Sequence, residues 1–96
     1  MDIYFKASFR KFVKKQTRSF QMVIEDEVEK IIQDPELGPS KRGDLADFRV
    51  HKFSYRNQTF LISYRTSESE MEFFTVGSHE NFYRELKRYV KGARRS

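Results

Sequence analysis

The chain has 96 residues, which is enough for one domain with a single modest core, so we expect residues 1–96 to fold as one unit. It contains no cysteine, which excludes disulfides and thiolate metal sites and is typical of a reducing compartment. The longest apolar run falls far short of the ~20 residues that span a bilayer, and the N-terminus lacks the form of a signal peptide. The sequence therefore predicts a cytoplasmic protein that does not enter a membrane.

The positive charge is concentrated in two parts of the chain. Nineteen Lys and Arg residues against fourteen Asp and Glu give a net charge of +5, but residues 48–65 contain four bases and no acid. Residues 81–96 contain six bases and one acid. Such an asymmetry favours a polyanionic partner, of which nucleic acid is the commonest. A surface that is merely well solvated is the plain alternative, unless the two segments lie together in space.

The first half of the chain predicts a short strand and two helices. Residues 3–5 fit a strand, and Phe9, Phe12 and Val13 then recur at helical spacing. The second helix is predicted from one continuous apolar stripe, formed by Phe20, Val23, Ile24, Val28, Ile31 and Ile32. Thr17 or Ser19 is suited to cap its start, and the helix must end before Pro35, because the residue preceding a proline disfavours the α region. Two helices so close in sequence predict an antiparallel helical hairpin.

The second half predicts strands followed by a last helix. Turn residues fill 35–47, and the apolar period then changes to two over residues 48–55, 59–65 and 71–76, which predicts an antiparallel meander. Residues 82–91 return to helical spacing. The predicted order is (β)ααβββα, an α+β fold with the helical hairpin packed on one face of a small antiparallel sheet. The other face would be open and basic unless the last helix or a partner covers it.

The start of the last helix carries side chains that can move protons. His79, Glu80 and Tyr83 lie where the third predicted meander strand ends, and His51 lies on the first, so these four are the candidate catalytic residues. The candidate phosphate-binding residues are the cations around them: Arg49, Lys52, Arg56, Arg65, Arg84 and Lys87. Along a strand, Arg49 and His51 share a face and Lys52 points the other way. Two isolated histidines do not make a metal site, so no metal or other cofactor is expected.

Several motifs in this order resemble the RelE/ParE superfamily of bacterial type II toxins. They are the break Pro35-Glu36-Leu37-Gly38, the stretch Lys41-Arg42-Gly43-Asp44-Leu45, the strand Phe60-Leu61-Ile62-Ser63-Tyr64-Arg65 and the closing Val76-Gly77-Ser78-His79. The resemblance covers nearly the whole chain. It implies a RelE/ParE-like fold, a bacterial cytoplasmic protein and a cognate antitoxin partner. It further implies that the antitoxin wraps the helical hairpin or covers the basic face.

The superfamily contains two activities. RelE-like members cut messenger RNA at the ribosome, and ParE-like members inhibit DNA gyrase without cutting RNA. In the RNA-cleaving branch an arginine on the second meander strand stabilises the transition state, and this position falls on Leu61 here. His79 and Tyr83, in contrast, match the residues that the branch carries after its last strand.

Three functions therefore stay open from the sequence. The first is a metal-independent mRNA endoribonuclease acting at the ribosome by attack of a 2′-hydroxyl on the adjacent phosphate. The second is a gyrase inhibitor without nuclease activity, favoured by Leu61 and the basic tail 91–95. The third is a non-catalytic member that only binds nucleic acid or a partner.

Overall fold

The computed structural model describes residues 1–41, 47–79, 82–84 and 86–88. Within these ranges the elements follow the predicted order. They are β1 (Asp2–Phe5), α1 (Ala7–Lys14), α2 (Arg18–Gln33), β2 (Arg49–Tyr55), β3 (Gln58–Thr66) and β4 (Glu70–Ser78). Residues 82–84 and 86–88 are helical, and we call them the C-terminal helical segment. Glu80 and the predicted turn at residues 43–44 lie outside the described residues.

The four strands form one sheet in the order β1-β4-β3-β2. Strands β2, β3 and β4 are the predicted antiparallel meander. Strand β1, however, pairs in parallel with β4, with Ile3 opposite Met71, so the sheet is mixed, whereas the sequence predicted antiparallel pairing alone. Parallel neighbours need a long crossover, and the chain between β1 and β4 provides one that includes both helices and the rest of the meander.

Helix α2 begins and ends where its sequence predicts. The hydroxyl of Thr17 accepts a hydrogen bond from the backbone N–H of Phe20 at 3.3 Å, which satisfies one of the free donors of the first turn. The helix ends at Gln33, and Asp34 before Pro35 has left the helical region with φ −139° and ψ 87°. At the β2–β3 connection, Arg56 and Asn57 form a two-residue turn with φ of 50° and 63°, the conformation that tight hairpins require.

Both faces of the sheet are covered by apolar side chains. On the face that we call the hairpin face, residues of α1 and α2 pack against strand residues; the buried members are Phe9, Phe20, Ile24, Val28, Ile31, Phe53, Phe60, Ile62, Tyr64, Met71, Phe73 and Val76. On the opposite face, which we call the C-terminal face, Phe82 and Leu86 of the C-terminal helical segment pack on Phe48, Val50, Leu61 and Phe74. The last helix therefore covers much of the face that the sequence left open.

The segment before β2 is tied to the sheet by Tyr64. Its buried hydroxyl donates to the carbonyl of Pro35 at 2.7 Å and accepts from the N–H of Gly38 at 2.9 Å. Further on, the N–H of Val50 donates to the carbonyl of Pro39 at 3.1 Å, and the N–H of Lys41 to that of Phe48 at 2.9 Å. Residues 39–41 thus run along the outer edge of β2, which sets the position of Lys41 at the site described next.

Candidate active site

The alternation of β2 separates its basic residues onto two faces. Nε2 of His51 is hydrogen-bonded to Oε1 of Glu27 on α2 at 2.8 Å, so His51 lies on the hairpin face. Arg49 shares that face and donates to the carbonyl of Gly38 at 2.9 Å. Lys52 points to the C-terminal face. The structure thus brings Lys52, but neither Arg49 nor His51, towards the C-terminal helical segment.

Lys52 and His79 line one pocket at the end of the sheet. The pocket has a volume of about 500 Å³, and its described lining consists of Lys52, Gln58, Thr59, Ser78 and His79. It forms there because β2 and β3 meet at their hairpin turn beside the end of β4, where His79 immediately follows Ser78. None of these five lining residues is acidic. An ammonium, an imidazole, two hydroxyls and an amide therefore face one cavity, a set suited to an anion.

Tyr83 extends this site along the helical segment. Its ring meets the ring of His79 edge-on, with centroids 6.2 Å apart and an interplanar angle of 81°. It also packs on Phe82 at 5.1 Å, which leaves Tyr83 half-buried. Nζ of Lys41 lies 5.2 Å from the centroid of the Tyr83 ring, a cation–π contact. The predicted pair of His79 and Tyr83 therefore does lie together, with a lysine beside it.

Leu61 occupies the centre of the C-terminal face. The strand register places it between Lys52 on β2 and Gly77 on β4. Its side chain is 1% exposed within the cluster that contains Phe82 and Leu86. The position at which the resemblance implies an arginine is thus part of the apolar core, because the helical segment covers it.

Arg65 lies on the C-terminal face but far from the pocket. Four residues along β3 separate it from Leu61, a distance of ~13 Å in an extended strand. Its guanidinium lies over the ring of Phe74 at 5.0 Å and pairs with Glu72 at 3.2 Å, and Glu72 also pairs with Lys6 at 3.1 Å. Burial opposes ionisation of Glu72, but the hydrogen bonds from Lys6 and Arg65 outweigh it and hold its pKa below the ordinary value. Arg65 therefore has a structural partner.

The remaining predicted cations are exposed. Arg56 lies in the β2–β3 turn, over the ring of Tyr55 at 5.4 Å. Arg84 and Lys87 are on the C-terminal helical segment with exposed side chains. None of the three lines the pocket.

His51 belongs to a different cluster on the hairpin face. Glu27 accepts hydrogen bonds from His51 and, at 2.7 Å, from Nζ of Lys30. The side chains of His51 and Glu27 are both 12% exposed. Burial raises the pKa of Glu27, but the hydrogen bonds and charges of Lys30 and His51 outweigh it, so that the pKa is lowered overall. This cluster fastens α2 to β2.

Sequence reasoning did not select Lys41 or the polar residues Gln58, Thr59 and Ser78. Lys41 lies in a segment interpreted as turns, and the β-bridge between Ser40 and Arg49, which holds this segment beside β2, was not predicted by a local pattern. Within the described ranges, no three His, Asp or Glu side chains lie close enough to hold a metal ion. Among the same residues, no helix has the length and apolar character needed to cross a membrane.

Several solved structures have a similar fold. This chain is similar to a chain of the intact E. coli RelBE toxin-antitoxin complex, with a TM-score of 0.62 and 14% identity over 80% of this chain and 94% of that one. The isolated E. coli RelE toxin is similar with a TM-score of 0.61 and 15% identity, over 92% of this chain and 97% of that one. A YoeB/ParE toxin from Agrobacterium tumefaciens is similar with a TM-score of 0.61 and 17% identity, over 82% of this chain and 99% of that one. At these identities the likeness shows the fold alone.

The sequence itself also identifies a family. A search of curated proteins finds no match. The family described as "ParE-like toxin of type II bacterial toxin-antitoxin system", in contrast, matches residues 3–87, which is most of the chain. This protein therefore belongs to the family of ParE-like toxins of bacterial type II toxin-antitoxin systems.

Proposed function

We propose that this toxin is an endoribonuclease that cuts messenger RNA at the ribosome. In this reaction the 2′-oxygen of a ribose attacks the adjacent phosphorus and the bond to the 5′-oxygen breaks, which leaves a 2′,3′-cyclic phosphate and a 5′-hydroxyl. The reaction needs a base for the 2′-hydroxyl, an acid for the leaving oxygen and cations for the phosphorane charge. The observation that supports it is the placement of Lys52 and His79 in one pocket with Tyr83 against His79.

The proposed roles follow the chemistry of each side chain. His79 and Tyr83 carry out the two proton transfers, since the imidazole of His79 is exposed at the pocket and an imidazole can both accept and donate a proton. Lys52 holds the scissile phosphate from the sheet side. Arg56, Arg84 and Lys87 hold neighbouring phosphates of the RNA. Glu80 remains a candidate base next to His79 in the chain.

Three of the candidate residues receive structural roles in this proposal. His51 and Arg49 serve α2 and the segment before β2, because their polar contacts lie on the hairpin face. Arg65 is held by Glu72 and two aromatic rings at the far end of the C-terminal face. The phosphate contacts are thus assigned to cations near the pocket.

A second candidate function is inhibition of DNA gyrase without RNA cleavage. Leu61 favours it, because this buried side chain stands where the RNA-cleaving branch resembled by the sequence carries a transition-state arginine. The match to ParE-like toxins favours it as well. In this case the basic pocket is a binding surface, and no proton transfer occurs there.

We propose further that a cognate antitoxin packs into the groove between α1 and α2. The groove has a volume of about 520 Å³. Its apolar lining consists of Phe5, Phe9, Val13, Ile24, Val28 and Ile32. Arg10 and Lys14 from α1 and Glu25 and Glu29 from α2 flank it. An amphipathic helix fits such a groove, because its apolar stripe covers the floor and its charged edges meet both rims.

The decisive experiment is to map the 5′ ends of cellular messages after the toxin is induced without an antitoxin. We expect new ends within reading frames for the native protein and none for the double variant Tyr83→Phe, His79→Ala. Lys14→Gln, a change of an exposed lysine in the α1–α2 groove, is the matched control and should still produce them. Intact messages together with double-strand DNA breaks and an SOS response would instead establish the gyrase alternative.

A further inference from the structure

We infer that Lys41, which lies over the ring of Tyr83, supplies a second cation for the scissile phosphate in addition to Lys52. The inference rests on the proposed nuclease function and adds a residue that the sequence did not select. Nζ of Lys41 is 5.2 Å from the centroid of the Tyr83 ring, and that ring touches the ring of His79. The ammonium group is thus next to Tyr83, which in turn contacts His79, the other side chain proposed to transfer a proton.

The position of Lys41 is determined by backbone hydrogen bonds. Its N–H donates to the carbonyl of Phe48, and Ser40 forms a β-bridge with Arg49. The preceding residues are tied down by the hydroxyl of Tyr64. The lysine therefore extends from a strand-like segment at the edge of the sheet.

The ammonium of Lys41 also keeps donors for a ligand. A lysine ammonium has three N–H donors on a flexible stem. A cation–π contact with one ring face does not use all three donors. Among the described residues, no carboxylate lies within ion-pair distance of its Nζ, whereas Arg65 pairs with Glu72 and Lys30 with Glu27. A phosphate at the pocket could therefore bind Lys41 without first breaking an ion pair to a described residue.

Among the described strand residues that line the pocket, Lys52 is the one cation. Between Lys52 and Gly77 the side chain facing the C-terminal face is that of Leu61, which is buried and apolar. Charge that develops on the phosphorane is stabilised by donors placed around it rather than on one side. A second cation must then come from outside β3, and of the described cations Lys41 is the one that lies over the Tyr83 ring.

The test measures RNA binding and cleavage separately. A 2′-O-methyl oligoribonucleotide, which lacks the attacking hydroxyl, is titrated against the purified toxin by fluorescence anisotropy at several salt concentrations. For Lys41→Gln we expect weaker binding and a plot of log affinity against log salt whose slope is smaller by about 0.7 to 1, the effect of one phosphate contact. Lys41→Arg should retain the native slope, and so should the control Lys15→Gln, a change of an exposed lysine at the end of α1.

Cleavage is measured on ribosomes programmed with a message. We expect Lys41→Gln to lower the single-turnover rate about 10- to 100-fold, with partial recovery in Lys41→Arg. Thermal unfolding of each variant checks that it is folded, and Lys41→Met, which also removes the charge, replaces Lys41→Gln if the latter does not fold.

Two outcomes contradict different claims. A native protein that cleaves messages, together with Lys41→Gln that keeps the native salt slope and rate, would overturn the role of Lys41 and leave the nuclease function standing. A native protein that produces no cleavage in cells or on ribosomes would overturn the nuclease function and, with it, this inference.

Discussion

His51 and Lys52 are neighbours in the chain, yet their side chains lie on opposite faces of the sheet. His51 is held by Glu27 of α2, whereas Lys52 lines the pocket that contains His79. One basic stretch of sequence thus contributes to two different tasks. The hairpin-face residue fastens a helix to the sheet, and the C-terminal-face residue faces the candidate active site.

This separation predicts opposite effects for two adjacent substitutions. Lys52→Gln should abolish or strongly reduce growth arrest with little change in the free energy of unfolding, because its exposed side chain has no structural partner to lose among the described residues. His51→Gln should lower the free energy of unfolding by about 1–3 kcal/mol, since it weakens a hydrogen bond to a mostly buried carboxylate, and should leave toxicity in place. Growth curves and urea unfolding measure the two effects. Loss of toxicity in a folded His51→Gln protein would contradict the assignment.

The contact of Glu27 predicts a pH-dependent contribution to stability. Its pKa is lowered in the folded protein, so its contribution is fully present above the unfolded value near ~4.3 and is lost as the pH falls through the folded value. The free-energy difference between the native protein and Glu27→Gln should therefore be largest above pH ~5 and shrink below pH ~4. Glu72 titrates in the same direction, but it is common to both proteins and cancels in the difference. A difference that is constant across this range would refute the prediction.

Tyr64 is predicted to stabilise the segment that carries Lys41. Burial raises the pKa of Tyr64, so its hydroxyl stays protonated at neutral pH and can both donate to Pro35 and accept from Gly38. Tyr64→Phe leaves two backbone groups without this partner and should cost about 1–3 kcal/mol of unfolding free energy. Denaturant unfolding measures the cost. The exposed Tyr4 offers a control, since Tyr4→Phe should change stability by less than about 0.5 kcal/mol.

Gly38 and Gly77 differ in the space around an added methyl group, so alanine should affect stability differently at the two positions. A Cβ on Gly38 would lie 2.9 Å from the carbonyl carbon of Val50 and 3.0 Å from the ring of Tyr64, so Gly38→Ala should destabilise the protein by about 1–3 kcal/mol. A Cβ on Gly77 would meet no described atom within 4 Å, so Gly77→Ala should have a much smaller effect. Thermal unfolding of the two variants compares them directly. Equal melting temperatures would show that the segment at Gly38 can move away from β2.

Local patterns predicted most of the elements. Helix α2 was predicted from its apolar stripe, its cap at Thr17 and its stop at Pro35. These features depend on residues within one or two helical turns of each other, so they can be recognised in the sequence. The alternation of Arg49, His51 and Lys52 was equally readable. The sequence did not predict which face of β2 packs against the helical hairpin. That choice depends on the side chains that α2 and the C-terminal helical segment bring to β2.

The chain alone thus determined the order of helices and strands, the concentration of bases around residues 48–65 and the pairing of His79 with Tyr83 one helical turn later. Tertiary structure decided the parallel pairing of β1 with β4, the burial of Leu61 under Phe82 and Leu86, and the position of Lys41 over Tyr83. The difference has a physical cause. Helical stripes and caps depend on residues a few positions apart, whereas these three contacts join segments more than 20 residues apart, whose meeting depends on how the whole core packs.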